Sequence, residues 1–419
     1  EVGEVVLEGL PEGMDREGLL ETLPLAPGAP FSDGAAETGR RRLAESLRGR
    51  GHAQAETELR VEVTGPRSVR LLYRLHPGPV YTFGRLVVEG PGPDLVPMVQ
   101  RVARLPRGER YDPEVVEDVE WYLRQLNLFR RIRLEARPQA DGSLDVHALL
   151  SEREHRRLEL GVGWFSDEKL RASAAWEDRN LFEGGRGLRV SGMNSSIYTN
   201  GTLSTWWPGF WGAPNTLFLS LSHQLEKEEA YFQRESRASL ALVYRPDPRY
   251  SVRGGAAVSL IGLDDKTVQR DLVQDPEGLI TRVFLSRTRD GRDDPLFPTR
   301  GWTQRQSVEA TPPDLGSVAH FARAQAEAAW VHSFHPSVQL AGRGLIGAGG
   351  PFGPSEELII SERFFAGGSR SMRGFKRHRL GPKDEEGNPL GGNFLFEASA
   401  ELRLPLYRKL RAALFVDTA

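Results

Sequence analysis

From His155 onward, apolar residues fall on every second position of long, evenly spaced segments, a pattern that few folds accept. In Leu158-Glu159-Leu160-Gly161-Val162-Gly163-Trp164 the two leucines, Val162 and Trp164 share one face. In Phe396-Glu397-Ala398-Ser399-Ala400-Glu401-Leu402-Arg403-Leu404 the Glu, Ser and Arg residues fall on one side and the apolar residues on the other. About thirteen such strands can be counted, mostly about nine to thirteen residues long. Globular strands run nearer 5–6 residues, whereas a tilted strand that crosses a bilayer needs about 9–11. Tight connections (Phe182 to Gly185, Pro246 to Arg249, Phe334 to Pro336) interleave with longer ones (Leu225 to Arg234, Gly262 to Gly278, Gly349 to Gly392). Trp164, Trp176, Trp206, Trp207, Trp211 and Trp330 lie close to strand ends. Together these traits predict an all-β transmembrane barrel with an aromatic girdle. A large soluble β-domain is the weaker reading, because a sandwich also alternates.

Residues 1–152 follow a different rule, a repeat of about 80 residues. Val5-Val6-Leu7-Glu8-Gly9 is echoed by Leu86-Val87-Val88-Glu89-Gly90, and Leu25-Ala26-Pro27-Gly28 by Leu105-Pro106-Arg107-Gly108. Ser32 and Asp112 then stand as N-caps, and Pro113 takes the first helical position. Val115, Val116, Val119, Tyr122, Leu123 and Leu126 recur at helical spacing. Two strands close each repeat, so the order strand–helix–helix–strand–strand predicts two small α+β domains, 1–77 and 78–152, ahead of a β-region over 153–419. Composition narrows the partners. A net charge of −2 argues against nucleic acid. With no cysteine there is no disulfide framework and no Cys-ligated metal.

The longest connection carries Arg363-Phe364-Phe365-Ala366-Gly367-Gly368-Ser369-Arg370-Ser371-Met372-Arg373-Gly374-Phe375. A loop of that length is functional or disordered, and Phe364, Phe365, Met372 and Phe375 need somewhere to pack. By strand count it leaves the sheet on the extracellular side, and the polar lumen of a barrel can receive it. Arg373 then needs a carboxylate, since a guanidinium fork pairs best in bidentate fashion. On the last strand Arg411, Ala413, Phe415 and Asp417 share a face opposite Ala412, Leu414 and Val416. The expectation is an Arg373–Asp417 pair in the lumen. The bland reading makes Arg373 one of several solvated arginines beside Arg370, Arg377 and Arg379.

Taken together, the two modules, the β-region and the Phe-Ala-Gly-Gly loop ending in Arg373-Gly374-Phe375 resemble the BamA/TamA superfamily. Three further stretches carry the likeness. They are Arg179-Asn180-Leu181-Phe182-Glu183-Gly184-Gly185, Asp293-Asp294-Pro295-Leu296-Phe297-Pro298-Thr299-Arg300-Gly301, and Phe415-Val416-Asp417. Gly381-Pro382-Lys383-Asp384 with Gly391-Gly392 looks most like TamA, although TamA-like proteins carry three modules and two are found.

The resemblance implies two periplasmic POTRA domains followed by a sixteen-stranded outer-membrane barrel. With about thirteen strands visible, the barrel is expected to lack its last strands. It implies the same Arg373–Asp417 contact, with Gly367, Gly368, Met372, Arg373, Gly374 and Phe375 as the loop motif and Phe415 beside Asp417. The first strand, about His155 to Phe165 with Leu158, Leu160, Gly161, Gly163 and Trp164, is expected at the closing seam. Gly161 and Gly163 weaken it, so its edge could template a client strand.

The function expected is an assembly factor, or insertase, for unfolded β-barrel or autotransporter clients. It works in outer-membrane lipid without a cofactor, and a periplasm-spanning or lipoprotein partner stays open. The alternative is a two-partner-secretion transporter that exports an extended exoprotein. Enzyme readings fail, because Ser166-Asp167-Glu168-Lys169 lacks partner motifs and the glycines of 347–353 lack the Lys and Ser/Thr of a phosphate loop.

Overall fold

The computed structural model describes residues 1–419 except 12, 213, 266–276, 314, 336, 370, 408 and 409. Arg370, Pro336 and most of the Gly262 to Gly278 connection therefore lie outside the described residues. The chain divides into two compact units, Glu1–Arg153 and Glu154–Ala419.

The first unit holds two copies of one plan. β1 (Val2–Glu8), α1 (Arg16–Glu21), α2 (Asp33–Arg48), β2 (Glu56–Gly65) and β3 (Ser68–His76) make the first. β4 (Thr82–Glu89), α3 (Val96–Val102), α4 (Pro113–Gln125), β5 (Phe129–Pro138) and β6 (Ser143–Glu152) make the second. The sheet orders are β1-β3-β2 and β4-β6-β5, with the first strand of each copy parallel to the central one. Leu43 and Leu47 of α2 pack with Leu71, Tyr73 and Leu75 of β3. The Tyr73 hydroxyl, buried in that core, donates to the Ala36 carbonyl at 3.1 Å.

Asp112 caps α4 by accepting from the Glu114 amide at 2.9 Å. Ser32 occupies the matching N-cap position in extended backbone, but its hydroxyl makes no cap bond. The Asp33 carboxylate in the first turn supplies negative charge to that helix end instead. The repeated glycine has a steric cause. Gly9 (φ +75°) and Gly90 (φ +101°) leave β1 and β4, and a Cβ there would stand 2.3 Å from the Leu75 carbonyl oxygen and 2.2 Å from that of Leu150.

The second unit is one antiparallel sheet in which thirteen strands follow chain order. They are β7 (Arg156–Phe165), β8 (Lys169–Asp178), β9 (Gly187–Asn194), β10 (Tyr198–Pro208), β11 (Asn215–Lys227), β12 (Tyr231–Asp247) and β13 (Tyr250–Asp265), followed by six more. Those six are β14 (Glu277–Asp290), β15 (Arg300–Ala310), β16 (Phe321–His335), β17 (Val338–Pro351), β18 (Phe394–Tyr407) and β19 (Leu410–Thr418). Among the described residues β7 pairs only with β8 and β19 only with β18, so the sheet is open.

Several strands outrun the lengths read from the sequence, and β12 reaches 17 residues. The connection expected from Leu225 to Arg234 shrinks to residues 228–230, because the ladder continues from Leu225↔Arg234 to Lys227↔Phe232. Alternation gives the sheet an inverted character. Leu285, Val308, Ile346, Leu414 and Val416 are exposed on one face. Glu235, Arg282 and Glu397 are buried on the other.

Replacing Gly90 with Ala is expected to destabilise the second module by about 1–3 kcal/mol, combining left-handed strain with a backbone clash. Gly108 also has a positive φ, but nothing lies within 4 Å of its Cβ position, so Gly108→Ala should cost only about 1 kcal/mol. Amide exchange of β4–β6 in the refolded protein reads the difference, and equal costs would contradict it.

Candidate functional site

The segment between β17 and β18 folds back over the polar face of the sheet, and three anchors hold it. The first begins with Leu358, Ile359 and Ile360, which pack with Tyr231, Ile261, Leu263, Ile280 and Phe321. Glu362 follows. Its carboxylate accepts from Arg282 Nη2 at 2.5 Å and from Arg323 Nη1 at 2.6 Å. Arg282 also donates to Glu235 at 3.2 Å and to Ser259 Oγ at 2.9 Å, and its side chain is only 2% exposed. Arg323 lies 4.8 Å from the Phe364 ring centre.

The second anchor is Arg373. The period of two puts Phe415 and Asp417 on the inner face of β19. Antiparallel register sets Ser399 opposite Asp417 and Glu401 opposite Phe415. Into this square the guanidinium inserts. Nε donates to Asp417 Oδ2 at 2.8 Å and Nη2 to Oδ1 at 2.6 Å, a bidentate fork. The remaining donors reach Glu401 at 3.1 Å and Ser399 Oγ at 3.0 Å. The Arg373 Cζ stands 3.5 Å from the centre of the Phe415 ring. Ser399 donates to Asp417 at 2.8 Å and Arg403 to Glu401 at 2.7 Å, so both carboxylates are themselves held in place.

Local turns present Arg373. Gly367 has φ +105°, and a Cβ there would lie 2.5 Å from the Lys376 carbonyl oxygen. The Ser371 hydroxyl accepts from the Gly367 amide at 2.9 Å and also bonds Glu397. Gly368 donates to the Phe375 carbonyl at 3.1 Å, and Gly374 also has a positive φ. Phe364 and Met372 are buried, and Phe365 stacks on His378 with ring centres 4.8 Å apart. Phe375 stays half-exposed, so the expectation that all four apolar side chains need burial fails there.

The third anchor lies outside the sequence reading, which left Arg377 and Arg379 in solvent. Arg377 donates to Glu228 at 3.0 and 2.8 Å, His378 stands 3.4 Å from the same carboxylate, and Arg379 pairs with Glu229. Burial pushes the Glu228 carboxyl up, but hydrogen bonds from His378 and Arg377 outweigh it and hold it below the ordinary range.

Arg373 and Arg377 are four residues apart, roughly 14 Å of extended chain at most. They grip β19 and the β11–β12 turn, which a flat ladder would separate by roughly 34 Å. Through the reach of these two side chains the loop bridges β19 and a turn that lies seven strands away in the sheet order.

The Omp85 superfamily domain matches residues 180–419, more than half of the chain. The chain belongs to the Omp85 superfamily. It is 23% identical to the outer membrane protein assembly factor BamA of Neisseria meningitidis serogroup B, over 99% of this chain and 56% of that protein. It is 24% identical to BamA of Neorickettsia risticii, over 95% of this chain and 55% of that one. The Omp85 chain thus spans about half the length of the curated relatives it matches. In fold it is similar to BamA from Haemophilus ducreyi lacking POTRA domains 1-3, with TM-score 0.69 at 21% identity, covering 99% of this chain and 85% of that one. CdiB from Escherichia coli gives 0.56 at 15% identity, with coverage of 99% and 78%. The closer likeness to TamA read from residues 381–392 gains no support from these relatives.

The strand expected at the seam, β7, is an edge strand of the sheet among the described residues. Leu158, Leu160, Val162 and Trp164 lie exposed on its apolar face. Gly161 stands opposite Ser173, and with Gly163 it lies on the other face. In the first unit β1 and β4 are edge strands of their sheets.

The network of Glu362, Arg282, Arg323 and Glu235 escaped the sequence reading. Its one signal was parity, since Arg282 and Glu235 fall in mid-strand on the polar face.

Arg282→Ala removes the buried cation shared by Glu362 and Glu235, which keep Arg323 and Arg237, and should cost about 3 kcal/mol, the low end for a broken buried pair. Arg373→Ala should cost about 1–2 kcal/mol, because Arg373 keeps 30% of its side chain exposed to water. Thermal unfolding of the folded protein in detergent orders the two, and the reverse order would contradict this account.

A second expectation concerns pH. A carboxyl whose folded pKa lies below its unfolded value, ordinarily about 4.3, stabilises the fold above that value and stops doing so as pH falls through the folded one. The Glu228 clasp should therefore hold from neutral pH down to about 4 and loosen below it. The chain has no cysteine, so a single label on Ser369→Cys reports loop mobility. With Glu228→Gln the loop should already be loose at neutral pH, and an unchanged acid transition in that variant would refute the assignment.

Proposed function

We propose that the chain acts in the assembly of outer-membrane β-barrel proteins, as an insertase without nucleotide or cofactor. The sheet is the wall of an outer-membrane barrel, and the two modules are POTRA domains in the periplasm. Unfolded outer-membrane protein clients, autotransporters among them, are its substrates, and outer-membrane lipid is its medium. The observation that carries this reading is the loop clasped across the inner wall by Arg373 on Asp417, Glu401 and Ser399. The assembly-factor names of the relatives point the same way.

The work is conformational. β7 offers main-chain donors and acceptors along its free edge, so an incoming strand can add by β-augmentation whatever its side chains. The edges of β1 and β4 would gather extended client segments by the same chemistry. Leu158, Leu160, Val162 and Trp164 keep the template in lipid, and Gly161 and Gly163 make its pairing cheap to open. The driving force is the client's own strand pairing and burial in lipid.

The test is the folding of an unrelated denatured outer-membrane barrel in liposomes that carry the protein. The wild type should accelerate it severalfold, and Arg373→Ala should bring the rate back toward that of empty liposomes. No acceleration by wild type, with orientation verified, would move the reading to a dedicated secretion pore.

A further inference from the structure

Strand parity sorts the arginines of β14 into two kinds. Arg282 points to the inner face, where Glu362 and Glu235 receive it. Val283 and Leu285 are exposed on the outer face, and Arg287 and Arg289 continue their alternation. Both guanidinium groups therefore stand among apolar side chains. Tyr250 shares this face with exposed Val258 and Leu260, and Trp302 shares it with Val308. The Arg287 Cζ lies 5.4 Å from the Tyr250 ring centre, and that of Arg289 5.3 Å from the Trp302 ring centre. Register sets Gln304 opposite Arg289 and Gln306 opposite Arg287, which adds amide donors. Among the described residues neither arginine has a carboxylate partner.

A cation on a lipid-facing strand is tolerated near the interface, where its stem can carry the charge out of hydrocarbon. Arg287 and Arg289 lie within three residues of Asp290, the end of β14, or roughly 10 Å of the rim. This is the rim from which β7 starts, and Tyr250 and Trp302 suit an interfacial belt. With no carboxylate partner among the described residues, the pair is open to an anion from outside the protein. A guanidinium pair backed by amide donors fits a phosphodiester, which it can grip in bidentate fashion. Farther along the same face, Val283, Leu285, Val308, Ala310, Ala322 and Ala324 line a shallow, open apolar hollow. Headgroup donors on β14 and β15 and acyl-chain room on β14–β16 therefore lie on one face.

We propose that the outer face of β13–β16 binds an anionic phospholipid of the periplasmic leaflet, with its phosphate on Arg287 and Arg289 and an acyl chain in this hollow. The proposal rests on the membrane placement given above.

Spin-labelled phosphatidylglycerol and phosphatidylcholine, compared in vesicles that contain the protein, read the selectivity of its lipid shell. The wild type should favour phosphatidylglycerol. The variant R287A/R289A should lose that preference roughly fivefold or more, the size expected for one basic residue at an anionic surface. R287K/R289K should keep part of it, and Arg305→Ala, on the inner face, should keep all of it. Excess inorganic phosphate should not displace the lipid. Equal shells for the two lipids, unchanged selectivity in R287A/R289A, or displacement by free phosphate would overturn the site alone. Failure of the protein to float with vesicles would overturn the membrane placement and the site with it.

Discussion

Everything distinctive in the second unit depends on where one guanidinium can find its anions. A fork of fixed geometry needs two oxygens side by side. Asp417 supplies them at 2.8 and 2.6 Å only because β18 and β19 pair in a register that sets Ser399 and Glu401 beside it. A slip of one residue would turn Asp417 to the apolar face and leave Arg373 without a partner. The loop thus reports on the register of the last strand pair, and the strand pair fixes the loop.

The other two anchors extend this constraint around the wall. Glu362 ties the loop to Arg282 and Arg323 on β14 and β16, and Arg377 ties it to Glu228 at the β11–β12 turn. The anchors differ in strength for a physical reason. Arg282 is sealed from water, so its ion pairs cannot exchange for solvent, whereas Arg373 and Arg377 remain about one-third exposed. A strut with one deep fixture and two wetter ones can release part of its length while staying attached.

Much of this was legible in the sequence, for identifiable reasons. Period two separated Phe415 and Asp417 from Leu414 and Val416, and a bidentate cation needed a carboxylate, so the Arg373–Asp417 contact could be read before any coordinates. The glycines of Val5-Val6-Leu7-Glu8-Gly9 and its echo marked a steric necessity at the ends of β1 and β4. Periodicity says nothing of which distant charges meet. Glu362 is a single acidic residue in a loop, and its partners sit 80 and 39 positions away. The Arg377–Glu228 clasp spans 149 positions. Strand ends were misplaced for a related reason: the polar residues Glu226, Lys227, Gln233 and Arg234 looked like loop, yet they continue the ladder. Among the described residues β7 pairs only with β8, so it is an edge of the sheet.

The central claim is that the loop and the strand pair work as one unit through Arg373 and Asp417. A double-mutant cycle on these two residues tests it most directly, with the rate of client folding in liposomes as the readout. The account predicts that Arg373→Ala and Asp417→Ala each lower the acceleration and that the double variant is little worse than either alone. Additive losses would contradict it, because the two residues would then act separately.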